Sequence, residues 1–304
     1  MRQQELFWKM INYVQFFPTL KCNQNCHFCF MRGINSSEFP EEEIEKFTLL
    51  LTKNEIKEVD ILGGEPFVYK GLEKLVSLLL KNNIEITIST NGTLLSNIRN
   101  FLYLFNSDRV HLGISINTKI NHELLELIKD YRLWIKTVIR KDNPLEKQII
   151  DFSEKYNIPY YLIYFDAITP EDLQLSSPFY EYFQKIKKLQ SLYKNIKPVY
   201  CKGFINGDNY RCPAGTEKIT IMPNGDVYPC YLLIRYKDFC LGNIFTHSLK
   251  YIMDSPTIRI FKDFRGNPCK KQCNLSKNCH GGCVAHSIIH YKNPYRADPR
   301  CSVK

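Results

Sequence analysis

Apolar and polar positions alternate with two different periods through the first half of the chain. "VQFFPTL" (14–20) reads as a strand, and around 40–53 Ile44, Phe47, Leu50 and Leu51 recur at helical spacing. "EVDIL" (58–62) predicts a second strand, followed by a helix with Leu72, Leu75, Val76, Leu79 and Leu80 on one side. "IEITIST" alternates with period two, placing Ile84, Ile86 and Ile88 on one face. Strands are expected near 109–116, 132–139 and 159–165, with helical patterns near 120–129 and 144–156 between them.

Six strands separated by helices predict an α/β protein with a parallel sheet and helices outside, either doubly wound or an incomplete β/α barrel. In both, ligands collect at the carboxyl ends of the strands. Two chemically loaded segments, "LKCNQNCHFCF" (20–30) and "GGEP" (63–66), each follow a predicted strand and so are expected at one mouth. After the amphipathic run "FYEYFQKIKKLQSLYKNI" (179–196) the texture changes: long periodic segments thin out, and nine of the twelve cysteines lie beyond Pro198. A domain boundary is expected near 196, dividing the chain into 1–196 and 197–304.

Composition narrows the class. With 304 residues and 44% hydrophobic content, the chain suffices for a large domain plus a smaller module. No run reaches the ~18 apolar residues of a membrane span, and "MRQQELFWKMINYVQF" is too polar for a secretory signal. A soluble, cytoplasmic protein is expected. In a reducing compartment clustered cysteines bind metal or do redox work more often than they pair. The formal charge of +10 raises nucleic acid as a partner, but Lys and Arg are scattered among Glu and Asp with no basic block interleaved with aromatics. Nucleic acid is therefore disfavoured.

Cys22, Cys26 and Cys29 form a Cys-x3-Cys-x2-Cys loop with Phe28 before the third cysteine. Three thiols are one short of a structural zinc site. A 4Fe–4S cube held by three cysteines leaves one iron open to an exogenous chelate. This spacing and aromatic resemble the radical S-adenosylmethionine (radical SAM) superfamily; half of a zinc site is the bland alternative. Gly63, Gly64, Glu65 and Pro66, starting 34 positions after Cys29, match the family's second motif. Its glycines let backbone approach a ligand, and the resemblance implies that the motif, with Glu65 as acceptor, holds the methionyl amine. It further implies polar cofactor contacts from Ser89, Asn91 and Ser115 at later strand ends, and a carboxylate partner in Arg140. The implied fold is a partial (β/α)6 barrel over roughly 15–165. The implied chemistry is reductive cleavage of S-adenosylmethionine to a 5′-deoxyadenosyl radical that abstracts hydrogen, with an external donor such as flavodoxin or ferredoxin supplying the electron.

The C-terminal cysteines have their own spacing. "IMPNGDVYPC" between Cys212 and Cys230 reads as a hairpin turning at Asn224-Gly225. "CKKQCNLSKNCHGGC" sets Cys269, Cys273, Cys279 and Cys283 at gaps of three, five and three, with Cys301 beyond. This is similar to the SPASM extension of radical SAM enzymes, although the first gap there is usually two. The resemblance implies two auxiliary 4Fe–4S clusters, making three in all. Cluster I would use Cys201, Cys212, Cys230 and Cys283; cluster II would use Cys269, Cys273, Cys279 and Cys301. Two zinc sites fit the count of eight equally well. Cys240 is left over, as a buried small hydrophobe, as a hydrogen-atom donor to a substrate radical, or as the fourth ligand in place of Cys201.

SPASM enzymes mostly act on peptides and proteins. The expectation is a peptide-modifying enzyme that crosslinks, oxidises or epimerises a residue of a ribosomally made precursor. Formylglycine formation on a sulfatase is the runner-up, because Tyr231 stands where that branch places an aspartate base; Asp226 and Glu217 are nearby candidate bases. A small-molecule dehydrogenase is compatible with the motifs, and the rival from another class is a zinc-binding interaction protein. Only 21 residues precede Cys22, too few for a leader-gripping domain, so a separate leader-binding protein or the barrel itself is expected to hold a leader.

Overall fold

A computed structural model describes residues 11–301 apart from 118–120, 132, 144, 146, 206–211, 267–272, 274 and 276. In chain order the first elements are β1 (Tyr13–Phe16), α1 (Ile44–Lys53), β2 (Glu58–Ile61), α2 (Leu72–Lys81), β3 (Glu85–Thr90), α3 (Leu95–Phe101), β4 (Val110–Ser115) and α4 (His122–Ile128). Then come β5 (Leu133–Ile139), α5 (Lys147–Tyr156), β6 (Tyr160–Tyr164), α6 (Pro170–Leu175), α7 (Phe179–Leu192) and β7 (Ile196–Val199). The last are β8 (Lys218–Ile221), β9 (Asp226–Tyr228), β10 (Gly242–Asn243), α8 (Leu249–Met253), α9 (Arg259–Lys262) and α10 (Val284–Tyr291). No helix among the described residues is long and apolar enough to cross a membrane.

The chain forms two compact units, and the first takes residues from both sides of position 196: Met1–Ile114, Asn121–Arg132 and Pro213–Lys262. Its open sheet runs β10-β9-β8-β1-β2-β3-β4. β1 to β4 are parallel, and β8 adds to the free edge of β1, also in parallel. The register aligns Val14 with Val59 and Ile219, Phe16 with Ile61 and Ile221, and Ile61 with Ile88, giving unbroken apolar rows. These rows are buried because helices cover them; Phe47 of α1 packs 4.3 Å from Phe16, ring to ring. The opposite face carries Tyr13, Gln15, Glu58, Asp60, Thr87, Ser89 and His111, the period-two partners of the buried residues. The predicted hairpin forms between β8 and β9, with Gly225 at φ +83°.

The second unit comprises Ser115–Ile120, Leu133–Cys212 and Asp263–Lys304. β5, β6 and β7 are parallel, with α5 crossing from β5 to β6. β7 was not expected: "IKPV" contains a proline, which an edge strand tolerates. An aromatic stack supplies the core. Phe179 and Phe204 lie nearly parallel at 3.9 Å, Tyr164 and Tyr182 pack beside them, and the Tyr182 hydroxyl donates to the Leu162 carbonyl at 2.6 Å.

Candidate functional site

The cysteine loop is tied to the end of β2. Beyond Phe16 the chain keeps pairing: the Leu62 N–H donates to Phe16 O at 2.8 Å, Gly64 N–H to Thr19 O at 2.9 Å and Glu65 N–H to Lys21 O at 2.9 Å. Gly63 has φ +141°, and a Cβ on Gly63 or Gly64 would be driven into the Thr19 or Lys21 carbonyl. The room these glycines provide on the Cβ side is thus filled by the chain's own backbone. A side chain here would push the cysteine loop off the sheet.

The loop presents its sulfurs to donors. The Gln24 N–H points at Cys22 Sγ (3.4 Å), the Met31 N–H at Cys29 Sγ (3.4 Å), and Asn91 Nδ2 approaches Cys22 Sγ at 3.9 Å. Partial burial pushes the Cys22 thiol pKa up, and the nearby Glu65 carboxylate and Cys29 add to the rise. Three thiols beside a carboxylate disfavour further negative charge unless a cation joins them, and iron supplies that charge, so the donor set fits a metal cluster. The Phe28 ring packs edge-on against His27 at 5.3 Å.

Glu65 is 1% exposed, and its carboxylate joins strand ends. It accepts from Thr90 Oγ1 (2.7 Å), from the Asn91 N–H (2.8 Å) and from the Phe67 N–H (3.2 Å). Burial raises its pKa and these three donors oppose the rise. Asn91 is held in turn by Asn23 Oδ1 (2.9 Å) and accepts from the Thr93 N–H (3.0 Å). Pro66 opens the short helical turn that follows. Cys22, Cys26, Cys29, Gly63, Gly64, Glu65, Pro66 and Asn91 therefore form one constellation. Ser89 belongs to the neighbouring polar face, where it and Tyr13 donate to Asp60 at 3.4 and 3.0 Å.

Cys230 and Cys240 also lie in the first unit. Cys240 packs against an apolar cluster of Phe17, Met31, Met222 and Tyr228 that Cys29 also touches. Tyr231 packs on Phe30 at 4.9 Å, whereas Asp226 is engaged by Asn224 (2.7 Å) and Asn243 (2.9 Å) within the hairpin.

The second unit holds Ser115, Arg140, Cys201, Cys212, Cys273, Cys279, Cys283 and Cys301; Cys269 lies outside the described residues. Arg140 is buried, and its Nε donates to Asp142 at 2.8 Å. "CKGF" (201–204) pairs with "CHGGC" (279–283): the His280 and Gly282 N–H groups both donate to Gly203 O, at 2.8 and 3.0 Å. The hydrogen bond that the Cys283 S–H donates to the Cys201 sulfur, together with complete burial, pushes the Cys283 thiol well above its ordinary pKa. The Cys283 N–H donates to Asp298 at 2.9 Å, and Asp298 pairs with Arg300 (2.8 Å), whose guanidinium lies over the Tyr164 ring. Burial alone would raise the Asp298 carboxyl; Arg300 and the hydrogen bonds outweigh it and hold the group below the usual carboxylate range.

Sequence reading missed Thr90, Asn23, Asp298, Arg300 and His286. Thr90 was findable inside "STNG", beside residues already singled out. Asp298 and Arg300 precede Cys301 in "ADPRC", but nothing in the spacing pairs them with Cys283.

Comparison with known families agrees with this geometry. Residues 16–140 match the Radical SAM superfamily, and residues 212–280 match the SPASM iron–sulfur cluster-binding domain. The chain belongs to the radical SAM superfamily and is an enzyme of its SPASM-bearing branch, which implies S-adenosylmethionine and iron–sulfur clusters as cofactors. Among curated proteins it is similar to the antilisterial bacteriocin subtilosin biosynthesis protein AlbA of Bacillus subtilis, 24% identical over 95% of this chain and 70% of AlbA. Among solved structures it shares its fold with Streptococcus suis SuiB bound to S-adenosylmethionine: TM-score 0.80, 20% identity, 99% of this chain and 80% of SuiB. SuiB bound to its precursor peptide SuiA gives TM-score 0.79 at 21% identity, over 99% of this chain and 78% of that one. Native anSMEcpe with bound AdoMet and the Cp18Cys peptide gives TM-score 0.69 at 18% identity, over 95% and 93% of the two chains.

Proposed function

We propose that this enzyme modifies a residue of a peptide, a ribosomally made precursor, by hydrogen-atom abstraction. The observation that carries the reading is the three-cysteine loop clasped to the Gly63-Gly64-Glu65 strand end in a chain that also has a SPASM domain. The likeness to AlbA over 95% of this chain points the same way, as does the fold shared with SuiB, whose structure was solved with a precursor peptide.

In this reading Cys22, Cys26 and Cys29 would hold a 4Fe–4S cluster, and S-adenosylmethionine bound with it would supply the abstracting radical. The Gln24, Met31 and Asn91 donors stabilise the thiolates. Glu65 holds Thr90 and Asn91, and by resemblance to the family Gly63 to Pro66, Ser89, Ser115, Arg140 and Phe28 would serve in binding the cofactor. Cys201, Cys212, Cys230 and Cys283, and Cys269, Cys273, Cys279 and Cys301, would hold two auxiliary clusters, which would supply an acceptor for the electron released when a crosslinked or oxidised residue forms. The hydrogen bond between Cys201 and Cys283 supports Cys201 over Cys240 as the fourth ligand of the first set. An external flavodoxin- or ferredoxin-type donor would supply the reducing electron.

A second reading, redox-neutral epimerisation with Cys240 as hydrogen donor, draws support from the apolar cluster that Cys240 and Cys29 share. The test is to incubate the reconstituted enzyme, reductant and S-adenosylmethionine with a candidate precursor in D2O and read the peptide by mass spectrometry. Loss of two hydrogens supports crosslinking or oxidation. Deuterium uptake without loss supports epimerisation. An unchanged peptide across the candidate precursors, with the cofactor nonetheless cleaved, would overturn the peptide assignment in favour of a small-molecule substrate.

A further inference from the structure

The first turn of α10 contains a buried side chain that no role described so far uses. Cys283 caps the helix and His286 lies three residues on, fully buried, with its ring against the Cys283 sulfur. Its ring has a clear orientation: Nε2 lies 3.6 Å from Asp166 Oδ1, and the His290 ring is parallel to it at 6.5 Å.

The ligand-type atoms of Cys283, His286 and Asp298 all lie within 4.8 Å of one another. A mononuclear metal site built from the three is the first possibility, but Asp298 is already engaged. It accepts from the Cys283 N–H at 2.9 Å and from Arg300 at 2.8 and 3.0 Å, and releasing it would strand a buried guanidinium. That leaves one thiol and one imidazole, too few to close a tetrahedral site. The thiol also lies against Cys201, its fellow in the first auxiliary ligand set.

We propose that His286 is a positioning residue for the auxiliary cluster that Cys283 ligates: its ring N–H donates to cluster-bound sulfur at Cys283. This rests on the cluster reading of the preceding subsection. Hydrogen bonds to ligand sulfur draw electron density from the cluster and raise its reduction potential. The Asp166 carboxylate lies on the Nε2 side of the ring, 3.6 Å away.

The test uses the full chain, reconstituted without oxygen, in three forms: parent, His286→Leu and His286→Asn. EPR-monitored redox titration is expected to show unchanged iron content and one midpoint lowered in His286→Leu by at least a tenfold change in reduction equilibrium, about 59 mV for one electron. His286→Asn, which keeps an N–H donor, recovers at least half of that shift. In parent protein labelled with 15N-histidine, pulsed EPR shows a weak coupling to one auxiliary cluster. Midpoints unmoved in both variants would overturn the proposal, as would the strong coupling of an iron-bound nitrogen, which makes His286 a ligand instead. Should His286→Leu not fold, His286→Asn and the labelled parent decide. Zinc in place of iron would strike the underlying cluster reading, whereas intact clusters with unmoved potentials strike this inference alone.

Discussion

Gly64→Ala is a severe test of how the cysteine loop is held. A Cβ at this position would overlap the carbonyl carbon and oxygen of Lys21, backbone atoms that cannot rotate away as a side-chain tip can. Relief requires separating the strand end from the loop, which breaks the Gly64–Thr19 and Glu65–Lys21 hydrogen bonds, both 2.9 Å. Two such bonds at about 0.5–1.5 kcal/mol each, with overpacking strain of about 1–2 kcal/mol, give a loss of about 2–5 kcal/mol. At roughly 2 °C per kcal/mol for a chain of this size, the melting temperature should fall by about 4–10 °C. Because the strain falls on Lys21, next to Cys22, the EPR signal of the cluster that responds to S-adenosylmethionine should also be lost or broadened. Gly33→Ala is the control. Gly33 has φ +72° but open space around it, so alanine there costs only the left-handed backbone term, about 1 kcal/mol, and leaves the signal intact. Scanning calorimetry and EPR on the anaerobic proteins check both variants. A Gly64→Ala protein with parental melting temperature and signal would refute the clasp.

Other predictions follow from single observations. Glu58 has its pKa raised by burial and by the neighbouring Glu85 and Asp60. A raised carboxyl penalises the ionised folded state, absent below the unfolded value and growing as pH rises through the folded one. Glu58→Gln should therefore raise the melting temperature at pH 7 and leave it unchanged near pH 4, and a gain confined to acid would contradict this. Arg300→Met strands the buried Asp298 and should cost about 3–5 kcal/mol by chemical denaturation; a loss under 1 kcal/mol would show that the pair is dispensable. Cys201→Ala should lower iron content by about four atoms, one cluster, while Cys240→Ala should leave it unchanged; the reverse pattern would move the ligand assignment to Cys240.

The alternation of Ile84, Ile86 and Ile88 and the helical spacing of Leu72, Leu75, Val76 and Leu79 were enough to read the parallel α/β core, because each strand and helix buries one continuous face. The claw and the "GGEP" segment were legible for a different reason, since short loops at strand ends keep fixed spacings. What could not be read was long-range pairing. β8 lies some 200 residues after β1 and joins its edge, yet "KITI" carries no mark of which strand it will meet. The second unit is organised by an aromatic stack around Phe179 and Phe204 and by the Asp298–Arg300 pair, and neither leaves a periodic trace. Glu65 shows the limit at one residue. Its place in the motif was plain, but its engagement with Thr90 and Asn91 depends on how two strand ends meet.

The account rests on iron and on radical chemistry, and one preparation tests both. The full chain is purified without oxygen, reconstituted with iron and sulfide, assayed for metal, then given reductant and S-adenosylmethionine and analysed for 5′-deoxyadenosine. About twelve irons per chain, with 5′-deoxyadenosine formed by the parent and abolished in Cys22→Ala, is the predicted result for three cubes with one open corner. Tightly bound zinc, with no cofactor cleavage, would contradict it.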